Sequence, residues 1–136
     1  MKTLLLVGST GLVGREVLKL ALASPEVAQV VAPSRRRLEP HAKLVAPIVD
    51  FDRLPELEPW WHADAVICTL GTTIKVAGSQ EAFRKVDYSY PMAVARLARQ
   101  HGTPTFVLNS ALGADARSST ACAHLGLIRW RLRAPA

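Results

Sequence analysis

The sequence from Thr3 to Gly14 reads TLLLVGSTGLVG and joins an apolar run to three evenly spaced glycines. The nearly all-apolar segment Thr3 to Val7 predicts a strand that is buried on both faces of a parallel sheet. Apolar residues then recur at helical spacing from Leu12 to Ala21, and Ser24-Pro25 ends that pattern. A strand, a glycine turn and a helix in this order indicate the first unit of a parallel α/β sheet.

Four further apolar runs predict the remaining strands, at residues 28–32, 44–49, 63–70 and 105–108. A helix is expected over residues 80–100, interrupted near Asp87 to Pro91 and closed by His101-Gly102. Right-handed crossovers then give a Rossmann-like, doubly wound parallel sheet of about five strands in the order 3-2-1-4-5. The short polar segment Arg35 to Lys43 predicts that the helix between the second and third strands is vestigial or absent. No convincing sixth strand and helix follow, so we expect the carboxyl-terminal part of such a fold to be missing.

Length and composition favour a single globular domain, since the chain has 136 residues, 49% hydrophobic and 21% charged. No apolar run approaches the roughly 20 residues that a membrane helix needs. The Met1-Lys2 start mimics a signal peptide, but its apolar run ends at Gly8. Two cysteines, Cys68 and Cys122, are too few for a disulfide framework. We therefore expect a cytoplasmic protein with no membrane partner.

The net charge of +6 depends largely on the end of the chain, where four arginines and no acid follow residue 116. A basic tail of this kind is weak evidence for a nucleic-acid partner, which we do not expect.

The three glycines have separate physical roles in a dinucleotide site. Gly8 allows a tight turn, Gly11 lets a pyrophosphate approach the backbone, and Gly14 lets the helix pack closely on the sheet. The diphosphate would then lie on free N–H groups at the start of the helix. The predicted cofactor-binding turn comprises Gly8, Ser9, Thr10, Gly11, Leu12, Val13 and Gly14. Its G-x-x-G-x-x-G spacing differs from the commonest fingerprint, and a purely structural glycine turn is the alternative.

The second predicted strand leads into Arg35 and Arg36. An acid at this place holds the ribose 2′-hydroxyl of NAD, whereas an arginine accommodates the 2′-phosphate of NADP. The guanidinium group matches phosphate geometry and can stack on adenine. The sequence thus favours NADP(H), with NAD as the other dinucleotide and a solvated basic loop as the alternative.

Two further groups follow the third and fourth strands, at the sheet edge where open α/β folds bind ligands. Asp50 and Phe51 come first, and we expect Asp50 to accept from the adenine amino group. Leu70, Gly71 and Thr72 come second, and we expect the first two to line the adenosine ribose. The alternatives are that Asp50 only caps a turn and that Gly71 only bends the chain.

Taken together, these residues resemble the atypical short-chain dehydrogenase/reductase family, and more closely its Tat-interacting-protein-like oxidoreductase branch. The resemblance covers about residues 1–119 and also includes Cys68 to Thr73, Phe83 to Tyr88 and Asn109 to Asp115. It implies NAD(P)-binding Rossmann proteins that are often labelled nucleoside-diphosphate-sugar epimerases. We predict an NAD(P)-binding domain over residues 1–119 and a basic divergent tail over residues 120–136.

The resemblance also assigns a catalytic role to Ser110, which would bind a substrate oxygen. Family members pair a tyrosine with a lysine four residues later, because a phenol of pKa about 10 donates a proton at neutral pH only when a cation lowers that pKa. Beyond Ser110 this sequence has neither a tyrosine nor a lysine. We therefore expect impaired catalysis, with a non-enzymatic dinucleotide-binding regulatory module as the alternative and an unknown small-molecule substrate.

Three smaller expectations complete the sequence-based predictions. Cys122 and His124 fall short of a zinc site, so no metal is expected. Tyr88 and Tyr90, near Lys85, offer a substitute proton donor, but tyrosines beside a helix start usually pack. An apolar edge along residues 105–108 would lack cover and favour self-association.

Overall fold

The fold of the chain is a mostly parallel sheet with helices on both faces. A computed structural model describes residues 1–70, 78–109 and 130–131. Within these residues the strands are β1 (Lys2–Val7), β2 (Val27–Val31), β3 (Leu44–Val45), β4 (Ala65–Cys68), β5 (Thr105–Leu108) and β6 (Trp130–Arg131). The helices are α1 (Leu12–Ala23), α2 (Gln80–Arg84) and α3 (Tyr90–Gln100), with a 3₁₀ turn at Pro59–Trp61 and a π turn at Lys85–Ser89.

The first five strands are parallel and run in the order β3-β2-β1-β4-β5, so the predicted Rossmann-like topology is confirmed. Register places Val7 beside Cys68, and Cys68 beside Leu108. Because parallel strands end at the same edge of a sheet, the residues after Val7 and Cys68 come together there. This edge carries the candidate site.

Apolar side chains form one cluster on each face of the sheet. On the α1 face, Ala21 packs with Leu6, Val27 and Val30. The larger cluster lies on the opposite face, where α3 and the 3₁₀ turn contribute Val94, Ala95, Leu97, Ala98 and Trp61. Among the described helices, α1 alone covers this face of the sheet, because the connection between β2 and β3 contains no helix. The polar segment from Arg35 to Lys43 predicts this absence.

β3 is shorter than the predicted run of residues 44–49. Pro47 has no N–H group and cannot donate to a neighbouring strand, which limits the ladder to two residues. A single parallel bridge between Ser34 and Ile48 continues the pairing beyond it.

The predicted interruption near Asp87 to Pro91 is a π turn between α2 and α3. The helical path therefore continues through it. At the far end, Gly102 has φ +82°, and the N–H groups of Gly102 and Thr103 donate to the carbonyls of Arg99 and Ala98. This is a Schellman ending, in which glycine adopts the left-handed conformation.

A sixth strand of two residues borders β5, where the sequence predicts an exposed apolar edge and no convincing sixth strand followed by a helix. Trp130–Arg131 pair antiparallel with Thr105 and Phe106, and the side chains of Phe106 and Leu108 are buried. Two residues are too few to produce a recognisable alternation in the sequence. Val107 is the exposed large apolar residue of β5, at 41%. No helix in the described part of the chain has the length and apolarity required to cross a bilayer.

A buried hydroxyl group joins the loop before β4 to the residues before β5. The side chain of Thr103, 1% exposed, donates to the Trp61 carbonyl at 2.6 Å and accepts from the Ala63 N–H at 3.0 Å. The Trp61 ring is fully buried, and its Nε1 donates to the Pro55 carbonyl at 2.6 Å. These bonds fix the amino-terminal ends of β4 and β5, at the opposite end of these strands from the candidate site.

Replacing Thr103 with valine is expected to lower the free energy of unfolding by about 1 to 3 kcal/mol, because the near-isosteric side chain leaves a buried N–H and a buried carbonyl unpaired. Urea denaturation measures the change. Thr3→Val is the matched control, since the Thr3 hydroxyl has no such role, and its effect should stay within about 0.5 kcal/mol. Equal stability of both variants would contradict the role of this network.

Candidate functional site

A tight turn after β1 forms the centre of the candidate site. Gly8 has φ +88°, a conformation that residues with a side chain rarely adopt. An ideal Cβ on Gly8 would lie 2.7 Å from the backbone carbon of Thr69. The Thr69 hydroxyl donates to the carbonyls of Val7 and Gly8, at 2.9 and 3.0 Å. The end of β4 therefore holds the turn in place.

Gly14 packs even closer, because an ideal Cβ there would lie 1.8 Å from the Gly8 carbonyl oxygen. A side chain at this position would separate α1 from the turn. The structure thus supports the packing roles that the sequence suggests for Gly8 and Gly14.

Gly11 differs from both, since an ideal Cβ there meets only the Gly8 carbonyl oxygen, at an ordinary 3.5 Å. Gly11 is the N-cap of α1, and no acid lies in the first helical turn. The helix start therefore keeps its positive end and unpaired N–H groups free for an anion. Folding therefore does not require glycine at position 11. The approach of a diphosphate to this backbone would require it, because a side chain would occupy the space.

A cleft of about 260 Å³ opens beside this turn, between two walls of different chemistry. One wall is polar and contains Gly8, Ser9, Thr10, Ser34, Arg35 and Arg36, with Pro33 beside them. The other is largely apolar and contains Phe51, Leu70, Val86 and Tyr90. A polar wall facing an apolar one suits a ligand with a phosphorylated sugar and a flat base.

Ser9 gives this cleft a test of fit. The residue is 3% exposed, and its Oγ has no hydrogen-bond partner among the described residues. An unpaired buried hydroxyl is costly unless a ligand satisfies it. Together with the open space at Gly11, it fits a ligand that brings oxygen atoms to the turn.

Arg35 and Arg36 lie on the rim of the polar wall and are exposed. The Ser34 side chain accepts from the Arg36 N–H at 3.2 Å and fixes the backbone that presents both arginines. Within residues 1–70 and 78–109, neither guanidinium forms an ion pair with an acid. Both groups are therefore available to an anionic ligand.

Asp50 and Phe51 separate in the structure. The Asp50 carboxylate accepts from the Asp52 N–H at 2.9 Å, which is a turn-capping bond, and Asp50 is not among the residues that line the cleft. Phe51 lines the cleft and is buried, with its ring 5.7 Å from that of Tyr90. The turn-capping alternative therefore describes Asp50 in this structure, whereas Phe51 lies where the sequence predicts.

Tyr90 belongs to a polar cluster at the far side of the cleft. Its hydroxyl donates to the Asp52 carboxylate at 3.1 Å, and the Lys85 ammonium group contacts the same oxygen at 3.2 Å. These two partners lower the pKa of Asp52. Partial burial and the Asp52 carboxylate raise the pKa of Tyr90. A phenol that donates a proton at neutral pH needs a lowered pKa, so the Tyr90 hydroxyl is poorly suited to that role while it donates to Asp52.

Tyr88 also packs, with the Arg84 guanidinium 5.2 Å from its ring centre. The thiol of Cys68 is fully buried, and desolvation raises its pKa to about 12. A thiol in this state is a poor nucleophile at neutral pH. Neither residue adds a reactive group to the cleft.

Some of the predicted site residues do not line the cleft, and others lie outside the described residues. Leu12 and Val13 form the first turn of α1 and expose their side chains beside the cleft. Gly71, Thr72, Ser110, Cys122 and His124 lie outside the described residues. Among the described residues, no group of three or more potential metal ligands is close enough to hold an ion.

Sequence reasoning missed Ser34, Thr69 and Val86. Ser34 directly precedes the two arginines, and Val86 lies four residues before Tyr90, so both carry a weak positional signal. Thr69 acts on a turn that lies 61 residues earlier, and only the pairing of β1 with β4 brings the two together.

No protein-family model matches the chain, but individual known proteins are similar to it. The mitochondrial protein FMP52 of Debaryomyces hansenii is 36% identical over 116 residues, which is 83% of this chain and 51% of that protein. The HTATIP2 protein of Rattus norvegicus is 34% identical over 123 residues, which is 87% of this chain and 50% of that protein. The chain is a homologue of FMP52 and HTATIP2. The resemblance to the Tat-interacting-protein-like branch of atypical short-chain dehydrogenase/reductases is thereby confirmed.

The solved structures agree on the fold. MoeE5 in complex with UDP-glucose and NAD superposes with a TM-score of 0.70 at 17% identity, over 82% of this chain and 37% of that chain. This similarity shows the Rossmann-like fold. The chain spans about half the length of the FMP52 and HTATIP2 relatives.

The expected cytoplasmic location is wrong. Several of the FMP52 homologues are named as mitochondrial proteins. Composition and cysteine count, on which that expectation rests, do not distinguish these two compartments.

Proposed function

We propose that the chain binds NADP(H) in the cleft beside Gly8, as a short-chain dehydrogenase/reductase type protein. A nicotinamide dinucleotide agrees with the family and with the NAD of MoeE5. The observation that carries the proposal is the buried Ser9 hydroxyl, which has no hydrogen-bond partner among the described residues. It lies beside the start of α1, where Gly11 has no side chain and leaves the backbone accessible.

Each part of the dinucleotide has a matching element. The N–H groups of Leu12 and Val13 at the start of α1 would hold the diphosphate, since the Gly11 N–H already donates to the Gly8 carbonyl. The apolar wall would hold the adenine, because Phe51 and Leu70 offer flat or aliphatic surface there. Gly71 and Thr72, which follow Leu70 in the sequence, remain predicted contacts of this end of the proposed site, whereas Asp50 caps a turn.

The 2′-phosphate decides between the two dinucleotides. Arg35 and Arg36 follow β2 at the cleft, where the ribose of a dinucleotide would lie, and no acid pairs with them within residues 1–70 and 78–109. Each guanidinium offers paired donors that match a phosphate. NADP(H) is therefore the proposed cofactor, and NAD the weaker ligand.

Replacing both Arg35 and Arg36 with alanine should weaken NADPH binding far more than NADH binding. Charge-assisted hydrogen bonds contribute about 1.5 to 3 kcal/mol each, so the loss for NADPH should be at least about tenfold larger. Isothermal titration calorimetry measures both ligands. Arg37→Ala is the matched control, since Arg37 does not line the cleft. Equal losses for NADPH and NADH would remove the 2′-phosphate role.

We further propose that catalysis is impaired. Ser110 matches the substrate-binding serine of the family, but the described tyrosine beside the cleft, Tyr90, donates to Asp52 and has a raised pKa. Ser110 alone would orient a carbonyl without supplying a proton to the developing alkoxide. A dinucleotide-binding module without turnover is the form of the function that these contacts favour.

Purified protein should therefore show negligible NADPH oxidation with a panel of small aldehydes and ketones, followed at the absorbance of NADPH. The assay is informative only if the wild-type protein binds NADPH. Calorimetry on the same sample verifies this binding and provides the control. Turnover that disappears in Ser110→Ala would contradict impaired catalysis. Turnover that disappears in Tyr90→Phe would identify Tyr90 as the donor instead.

The FMP52 names also support a mitochondrial location for this chain. Fractionation of cells that express the chain with an epitope at its carboxyl end tests this point.

A further inference from the structure

A second concavity lies on the α1 face of the sheet, on the other side of the glycine turn. It is a groove of about 420 Å³ between α1 and the loop that connects β2 to β3. In a doubly wound sheet, right-handed crossovers place the helices of the first three strands on one face. Here residues 35–43 form a loop, so no second helix covers the groove beside α1.

Leucine side chains form the floor of this groove. Leu18 and Leu22 come from α1, Leu38 from the loop and Leu44 from β3. All four are partly exposed, and three of them pack against the buried cluster on this face. The groove therefore offers aliphatic surface that is continuous with the core but open to solvent.

Cations occupy the rim of the groove. Arg15 and Lys19 lie on the same stripe of α1 as the two floor leucines, because residues three, four and seven apart share one helix face. Both are exposed, and neither forms an ion pair within residues 1–70 and 78–109. His41 lies opposite, while Glu39 is the one acid among the lining residues of this groove.

We propose that this groove binds a small amphiphilic anion, such as a medium-chain carboxylate, with its chain on the leucines and its charge at Arg15 and Lys19. The volume lies within the range of about 300 to 1,000 Å³ that small-molecule sites occupy. The stripe from Arg15 to Leu22 is roughly 10 Å long, enough for an extended aliphatic chain beside it.

Charge argues against two other occupants. The arginine-rich end of this chain carries four arginines and no acid after residue 116, so it would be repelled by the cationic rim. A second copy would bring a net charge of +6 to the same surface. An anion with an apolar body satisfies both the floor and the rim.

The groove shares one wall with the dinucleotide cleft, formed by Ser9 and Thr10. The other lining residues of the two sites differ, so we expect both ligands to bind together. The proposal does not depend on NADP(H) binding, since α1 and the loop that connects β2 to β3 contribute most of the groove lining.

The test is a titration of the whole chain with decanoate below its micelle concentration, followed by two-dimensional NMR of backbone amides. Saturable shifts are expected in residues 15–22 and 38–44, with decan-1-ol binding more weakly. Leu22→Gln should weaken decanoate binding by roughly tenfold, through lost apolar contact. Leu20→Gln is its matched control on the same helix, since Leu20 is 71% exposed and does not line the groove.

The double variant Arg15→Gln, Lys19→Gln tests the contribution of charge. It should weaken the binding of decanoate by about threefold or more and leave the binding of decan-1-ol unchanged. Arg96→Gln with Arg99→Gln, exposed on α3 of the opposite face, is the charge-matched control and should have no effect. Leu38→Gln replaces Leu22→Gln if the latter does not fold. Equal binding of decan-1-ol, binding only to micelles or vesicles, or displacement of decanoate by NADPH would each overturn the proposal.

Discussion

Replacing Gly14 with alanine is expected to cause a large loss of stability, because Gly14 has the closest Cβ contact of the glycines that the structure describes. The new Cβ would lie 1.8 Å from the Gly8 carbonyl oxygen and 2.8 Å from the Thr69 hydroxyl. Neither neighbour can move freely, because Thr69 donates to Gly8 and to Val7. α1 would have to separate from the sheet, at a cost of about 3 kcal/mol or more.

Urea denaturation followed by circular dichroism measures this loss, with Gly11→Ala as the matched control. A Cβ at position 11 makes only an ordinary 3.5 Å contact, so its cost should stay within about 1 kcal/mol. If Gly14→Ala were as stable as Gly11→Ala, the close packing of α1 on the turn would be contradicted.

The second large effect concerns binding. Gly11→Val should fold, but its branched side chain would occupy the space that a diphosphate needs at the start of α1. We expect NADPH affinity to fall by about 100-fold or more, since the anion loses contact with the helix N–H groups. Calorimetry with NADPH measures the change, while circular dichroism verifies the fold. Unchanged affinity would place the dinucleotide elsewhere.

The order of the strands could be predicted from the sequence because each buried run is short, apolar and bounded by turn residues. The distinct roles of Gly8 and Gly14 could also be predicted, since a strand, a turn and a helix leave little room at these two positions. The extent of β3 could not be predicted. Its apolar pattern continues to Val49, but its regular pairing ends at Val45 because Pro47 has no backbone N–H group to donate.

The candidate site was predictable only where its residues adjoin a strand end. Leu70 lies two residues after β4, Phe51 follows the parallel bridge at Ile48, and both line the cleft. Tyr90 adjoins no strand end, because it reaches the cleft from α3, and its bond to Asp52 spans 38 residues of sequence. The unpaired state of Ser9 also depends on its three-dimensional surroundings, and local spacing carries no signal for it.

The most direct test of the account is isothermal titration calorimetry of the purified chain with NADPH and with NADH, under the same salt and pH. We predict a single saturable NADPH site per chain and weaker binding of NADH, because Arg35 and Arg36, which follow β2, would bind the 2′-phosphate. Absence of binding by both dinucleotides, or tighter binding of NADH, would contradict it.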